Sequence, residues 1–272
     1  MASNSVLQSV TARGWRAGFG NLFRKENRDW WGTRSWLVQA LIWTAILIGV
    51  LAAVLFSPTD GDASLLLPGA RAALGLTVFF AVAGTALPIG AIIMGQEEVL
   101  DEKRSGTAAW ILSKPVSRVA FIVAKVTANA IGILIILVLL EGALAYGLIA
   151  VVTGRAFPVL PYLGALGVLY LEVMFYFLLS LMFSAASNSR GAAIGIPMAM
   201  LFGYPFIVGL APWTLEIMPW GLTNAGTGSQ GSSIAVAIAL GRSYSALPII
   251  ATLLWCVLFT VVAVWRFNRD EF

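Results

Sequence analysis

The chain has no histidine and a single cysteine, Cys256. Histidine is the commonest general base and the commonest transition-metal ligand, so neither a metal site nor catalysis within the chain is expected. Cys256 lies in an apolar run with no second cysteine to pair with, which excludes a disulfide framework and a thiolate metal cluster. Charge is scarce as well: 11% of the 272 residues are Asp, Glu, Lys or Arg, against 59% apolar, and the mean hydropathy is +0.88. No water-soluble domain carries such a composition without exposing large apolar patches. The dipeptide Gly-Lys occurs nowhere, so the chain lacks the G-x-x-x-x-G-K-[ST] loop that cradles nucleotide phosphates. A cleavable signal peptide is not expected either, because the first 35 residues are polar and basic and the first apolar run is too long for a signal core.

What the chain does have is long apolar runs. A spanning helix needs about 20 such residues to cross about 30 Å of hydrocarbon, and six runs qualify: about 36–56, 72–94, 119–152, 159–183, 191–211 and 246–265. The expected fold is all-α and integral to the membrane: a cytoplasmic segment 1–35, then one transmembrane domain over 36–272. Ser57-Pro58 closes the first span, a short loop with Asp60 and Asp62 follows, and Pro88 predicts a kink in the second. The third run is longer than a bilayer is thick, so its first turns, around Lys125, are expected to project into the cytoplasm or its interface.

The net charge of +4 is sorted along the chain. Fourteen Lys and Arg, counting Lys125 at the start of the third run, fall before the first span, after the second, after the fourth and after the sixth; only Arg71, Arg155 and Arg242 fall on the other side. The positive-inside rule then puts both termini in the cytoplasm, in the inner (cytoplasmic) membrane of the cell. Membrane insertion explains the basic balance, and no nucleic-acid partner is expected.

Residues 12–30 place Ala12, Trp15, Phe19, Leu22, Phe23 and Trp30 on one arc at 100° per residue, with Arg13, Arg16, Arg24 and Arg28 elsewhere. Such a helix rests in the headgroup layer, with membrane lipid as its partner, either as a passive anchor or as a working part. In the predicted external segment 212–245, Ser232–Leu240 is apolar but too short to cross. It is either a helix that dips back to cap the outer mouth or a plain exposed loop.

The most informative stretch runs from Gly95 to Arg118. Glu97 to Arg104 continue the second span as a charged helix, with Glu98 and Glu102 available to cations one turn on, until Ser105-Gly106 ends it. Thr107 is expected to cap a short helix through Leu112, which Lys114-Pro115 stops, and Ser117 to cap the third span. The result is an elbow carrying Trp110, Ile111 and Leu112 beside acids and bases. Apolar anchors inside a polar rim suit a docking knob, although packing on the protein's own spans or on lipid explains them equally well.

Glu97 and Glu98, Gly106-Thr107, Trp110-Ile111-Leu112-Ser113, Pro115, Ser117-Arg118 and Lys125 together resemble the intracellular signature of the ABC type-2 permeases. The basic tail Arg266-Phe-Asn-Arg-Asp270 and the amphipathic amino-terminal helix are similar to that family too. The resemblance implies a six-span, export-type permease whose coupling region, here 95–118, docks on a separate P-loop ATP-binding subunit. By position Glu97, Glu98, Gly106, Thr107, Leu112, Pro115, Arg118 and Lys125 belong to it. It further implies a second permease copy or homologue, with no cofactor in this chain and ATP and magnesium on the partner subunit.

Two carboxylates lie within spans. Glu172 is near the middle of the fourth and Glu141 in the outer part of the third, where an ionised group is expensive. Each either lines a translocation path or glues helices together, with Asn129, Thr127 and Tyr176 as expected polar company. A proton- or cation-coupled carrier built on Glu172 or Glu141 is therefore the alternative reading. A membrane enzyme would have to work with carboxylates and Lys125 alone.

Overall fold

The computed structural model describes residues 14–57, 68–187, 189–224 and 232–269, and every structural statement below concerns these. Ala12, Arg13, Pro58, Asp60, Asp62 and Asp270 lie outside them. All regular structure there is helical, and six helices are long and apolar enough to cross a membrane. The protein is an all-α, multi-pass membrane protein.

A surface helix, α1 (Phe19–Gly32), leads into the first long helix, α2 (Ser35–Phe56). Next, α3 (Pro68–Arg104) runs 37 residues, about 56 Å, unbroken through Pro88. Its last turns form the charged extension expected from Glu97 onward. The short α4 (Thr107–Leu112) follows. The third long helix is continuous from Arg118 to Thr153 but changes pitch: α5 (Arg118–Gly132), a π-helical segment (Ile133–Leu140), then α6 (Glu141–Thr153). Nothing in an unbroken Ile/Leu/Val run announces that change of winding. Two more long helices follow, α7 (Val159–Ala186) and α8 (Arg190–Leu210). A 3₁₀ turn (Pro212–Glu216), α9 (Trp220–Thr223) and α10 (Ile234–Ala239) precede the last, α11 (Leu247–Arg269).

The hub is α7. In its most apolar stretch 72% of residues are buried, against 17% in α8, 22% in α2 and 28% in α11. Its buried faces pack mainly on α3 and α11, with α10 and α8 next, so the other elements are arranged around α7. The outer faces of α2, α8 and α11 carry exposed Leu41, Phe206 and Leu254, as a helix against lipid does.

One end of the bundle is basic. Lys103 donates to the Ala185 carbonyl at 2.6 Å, Arg266 to that of Ala186, and Arg118 to that of Asn268 at 2.7 Å. The carboxyl-terminal ends of α3, α7 and α11 therefore meet at this end, where α4 packs on α3 and α1 on α5. At the far end Arg71 donates to the Leu55 carbonyl. Both described ends of the chain lie at the basic end, where the Ser117 amide donates to the Ala17 carbonyl and Arg118 to that of Asn268.

Candidate functional site

The elbow between α3 and α5 is built by local chemistry. Gly106 adopts φ 74°, the left-handed region that only glycine enters freely, and this reverses the chain after α3. Gly106 thereby takes the N-cap position expected for Thr107, which becomes the first helical residue. Its hydroxyl pairs with that of Ser105 at 2.8 Å. Ser117 caps α5 as expected, accepting from the Val119 and Ala120 amides.

Of the apolar cluster on α4, Ile111 is buried, Leu112 is half-buried, and Trp110 is 62% exposed. The Lys114 ammonium lies 3.4 Å from the centre of the Trp110 ring, a cation–π contact. Between α4 and α1 runs a cavity of about 460 Å³ lined by Leu22, Lys25, Trp110, Ile111 and Lys114 among others. Glu97 and Pro115 are exposed on the same end.

Behind the elbow lies a buried ionic cluster. The Lys125 side chain is 4% exposed, and its ammonium sits 3.2 Å from Glu26, 3.3 Å from Glu98 and 3.1 Å from Glu102. Glu98 and Glu102 therefore meet a cation from another helix rather than one turn on along α3. Lys25 of α1 completes the cluster, 3.0 Å from both Glu26 and Glu102. Burial pulls the Lys25 ammonium down, but Glu26 and Glu102 outweigh it, so Lys25 titrates above the usual lysine range.

The cluster fastens α1 to the bundle. Trp30 donates from Nε1 to Asn129 Oδ1 at 2.8 Å, and Asn129 donates to the Lys125 carbonyl at 3.0 Å. The Trp30 ring lies so close to Gly132 that a Cβ there would meet it at 2.6 Å. Next to the elbow, the Ser117 amide donates to the Ala17 carbonyl at 2.9 Å. The inward face of α1 is thus Leu22, Glu26 and Trp30, one turn apart each, while Trp15, assigned to the apolar arc, is 53% exposed. Sequence reasoning missed Glu26 and Lys25. The available signal was the position of Glu26 on the same stripe as Leu22 and Trp30.

The structure separates the three polar residues assigned to a path. Asn129 serves the ionic cluster, and Thr127 bonds only the Val123 carbonyl one turn back. Glu141, fully buried, accepts from the Thr44 hydroxyl at 2.8 Å. Glu172, also fully buried, accepts from the Thr223 hydroxyl at 2.5 Å. Glu141 Oε2 and Glu172 Oε1 have no hydrogen-bond partner among the described residues. Tyr176 OH, one turn from Glu172, accepts from Trp220 Nε1 at 3.1 Å. The apolar stretch in 232–240 is a buried helix, α10, packed on α7 and α3. Of the two readings open for it, the exposed loop falls away. No group of three or more Cys, Asp or Glu among the described residues is arranged to hold a metal ion.

No curated protein matches this chain. A family model described as "Protein of unknown function (DUF2705)" matches residues 45–272, from within α2 through the carboxyl terminus and including the elbow, Lys125, Glu141 and Glu172. With most of its length matched, the chain belongs to the DUF2705 family.

Proposed function

We propose that the chain is the permease subunit of an export-type, ATP-driven ABC transporter, with both termini on the cytoplasmic side of the cytoplasmic membrane. In this reading it pairs with a second permease copy or homologue and takes energy from a separate P-loop ATP-binding subunit, which carries the ATP and magnesium. The observation that carries the reading is the exposed Trp110 on a short helix at the basic end, braced from behind by a buried ionic cluster. An exposed tryptophan beside Lys114 is the apolar anchor in a polar rim that docking requires, and the Lys125 cluster would pass a push on α4 to α1, α3 and α5 together. The partner's closure on ATP would then shift the bundle between inward-open and outward-open populations.

Affinity purification of the tagged chain from its native membrane in mild detergent tests this. A stoichiometric P-loop ATPase is expected to copurify, and Trp110→Ala should weaken its retention by about tenfold or more, as loss of an interface anchor does. An unchanged affinity would remove the elbow from the docking role.

A second reading, a proton- or cation-coupled carrier, draws on the burial of Glu141 and Glu172 with one oxygen of each unpartnered. It expects the chain to purify without an ATPase and Glu172→Gln to change transport.

A further inference from the structure

Past the end of α8, the chain does not stay at the surface of the bundle. Thr223 reaches the carboxylate of Glu172, thirteen residues into α7 from Val159 and so about 20 Å along that helix from its start. Trp220, Leu222 and Thr223 are buried to 2%, 0% and 0% exposure. Nearby, α10 buries Ile234, Ala235 and Val236 against α7 and α3.

The seat that receives this segment is specific. Gly84 of α3 has no side chain, and a Cβ there would fall 1.7 Å from Thr223 Oγ1 and 3.3 Å from Glu172 Oε2. Pro88, one turn on, has no N–H to give the Gly84 carbonyl, so the α3 backbone is loosened at the same level. Two side-chain bonds hold the segment down, Thr223 to Glu172 and Trp220 to Tyr176. Both run to α7, the most buried helix of the bundle.

We propose that α9 and α10 form a cap latched over the bundle centre by the Thr223–Glu172 hydrogen bond, and that its release exposes Glu172 and Tyr176 to water. In the closed cap Glu172 Oε1 has no hydrogen-bond partner among the described residues. A buried carboxyl oxygen that the protein leaves unpartnered is costly, and opening gives it water as a partner. Two hydrogen bonds and the apolar packing of Trp220 and Leu222 hold the cap shut, and the hydration of one carboxyl group favours its release. The proposal rests on the permease reading for its purpose, since a cap matters only where a path opens beneath it.

The test uses the full chain in lipid nanodiscs without any ATPase, so its failure would fall on the cap alone, whereas the copurification experiment bears on the permease reading. In a Cys256→Ser background, Val236→Cys on α10, 2% exposed in the parent, reports opening by its rate of reaction with a charged maleimide. Thr223→Val keeps the shape and removes the latch, and the labelling rate should rise about tenfold. Thr223→Ser keeps the hydroxyl and should label at the parent rate. Gly84→Ala should accelerate labelling by displacing Thr223. The control is Thr44→Val, which removes the equivalent bond to Glu141 on other helices and should leave the rate unchanged. Equal rates for Thr223→Val and the parent, or an equal acceleration by Thr44→Val, would overturn the latch. Should Gly84→Ala fail to fold, the three threonine variants decide the question.

Discussion

Lys125 shows how much depends on where a single charge ends up. Its ammonium is the only cation within 4 Å of Glu98 among the described ion pairs, and it also meets Glu26 and Glu102. Taking charges out of water costs several kcal/mol per ion, recovered only where partners are close. Replacing Lys125 by Met should therefore destabilise the protein by about 3–5 kcal/mol, read as a lower unfolding midpoint in a denaturant titration in mild detergent. Adding Glu26→Gln should recover part of that loss by removing one of the stranded carboxylates. A double variant no more stable than the single one would show that Glu26 is not held by Lys125. Lys125 and Glu98 were both legible as members of one motif in the sequence. Their contact was not, because they lie on different helices and because the third acid, Glu26, is separated from Lys125 by two of the spans.

At the scale of the element, α1 changes character most between sequence and structure. Its arc of aromatics is that of a helix lying on a membrane surface, and a passive anchor would release from the bundle without consequence. In the fold it is a strut: Leu22 and Glu26 are buried, Trp30 bonds Asn129, and the indole packs on Gly132. Gly132→Ala would drive a methyl into the body of the Trp30 ring, which has no flexible end to swing away. Overpacking of this kind costs about 1–3 kcal/mol, and it should loosen α1 before anything else. Limited proteolysis by trypsin is expected to cleave at Arg24, Lys25 and Arg28 severalfold faster in Gly132→Ala than in the parent. Equal cleavage would mean that α1 is held by the ionic cluster alone. Element boundaries set by local chemistry, such as the Ser117 cap and the turn at Ser105-Gly106, were legible. The π-helical segment was not, since nothing in the uniform apolar run Ile133–Leu140 distinguishes i→i+5 from i→i+4 winding.

For the molecule as a whole, the ranking of helices by burial follows from the architecture. Six apolar runs of similar composition look alike to a hydropathy scan, yet α7 is enclosed and α11 largely faces outward. In lipid, apolar contact with a neighbouring helix gains little over contact with acyl chains, so helix association relies on close packing and hydrogen bonds. Phe177 on α7 is fully buried, whereas Leu254 on α11 is 65% exposed. Phe177→Ala should cost at least about 2 kcal/mol in lost packing and Leu254→Ala less than about 0.5 kcal/mol, measured by reversible unfolding in bicelles. Similar costs at the two sites would argue against α7 as the hub.

Membrane residence, the number of long apolar helices and the position of the elbow follow from composition and spacing along the chain. They could be read in advance because transfer into lipid and helix capping act on neighbouring residues, whatever the rest of the chain does. Which carboxylate meets which partner was decided only when the helices packed. Glu98 and Glu102 find Lys125, Glu172 finds Thr223, and α10 turns inward because apolar side chains and unpaired polar groups are both settled by what lies across the bundle. Those partners are tens of residues away, and no local pattern encodes them.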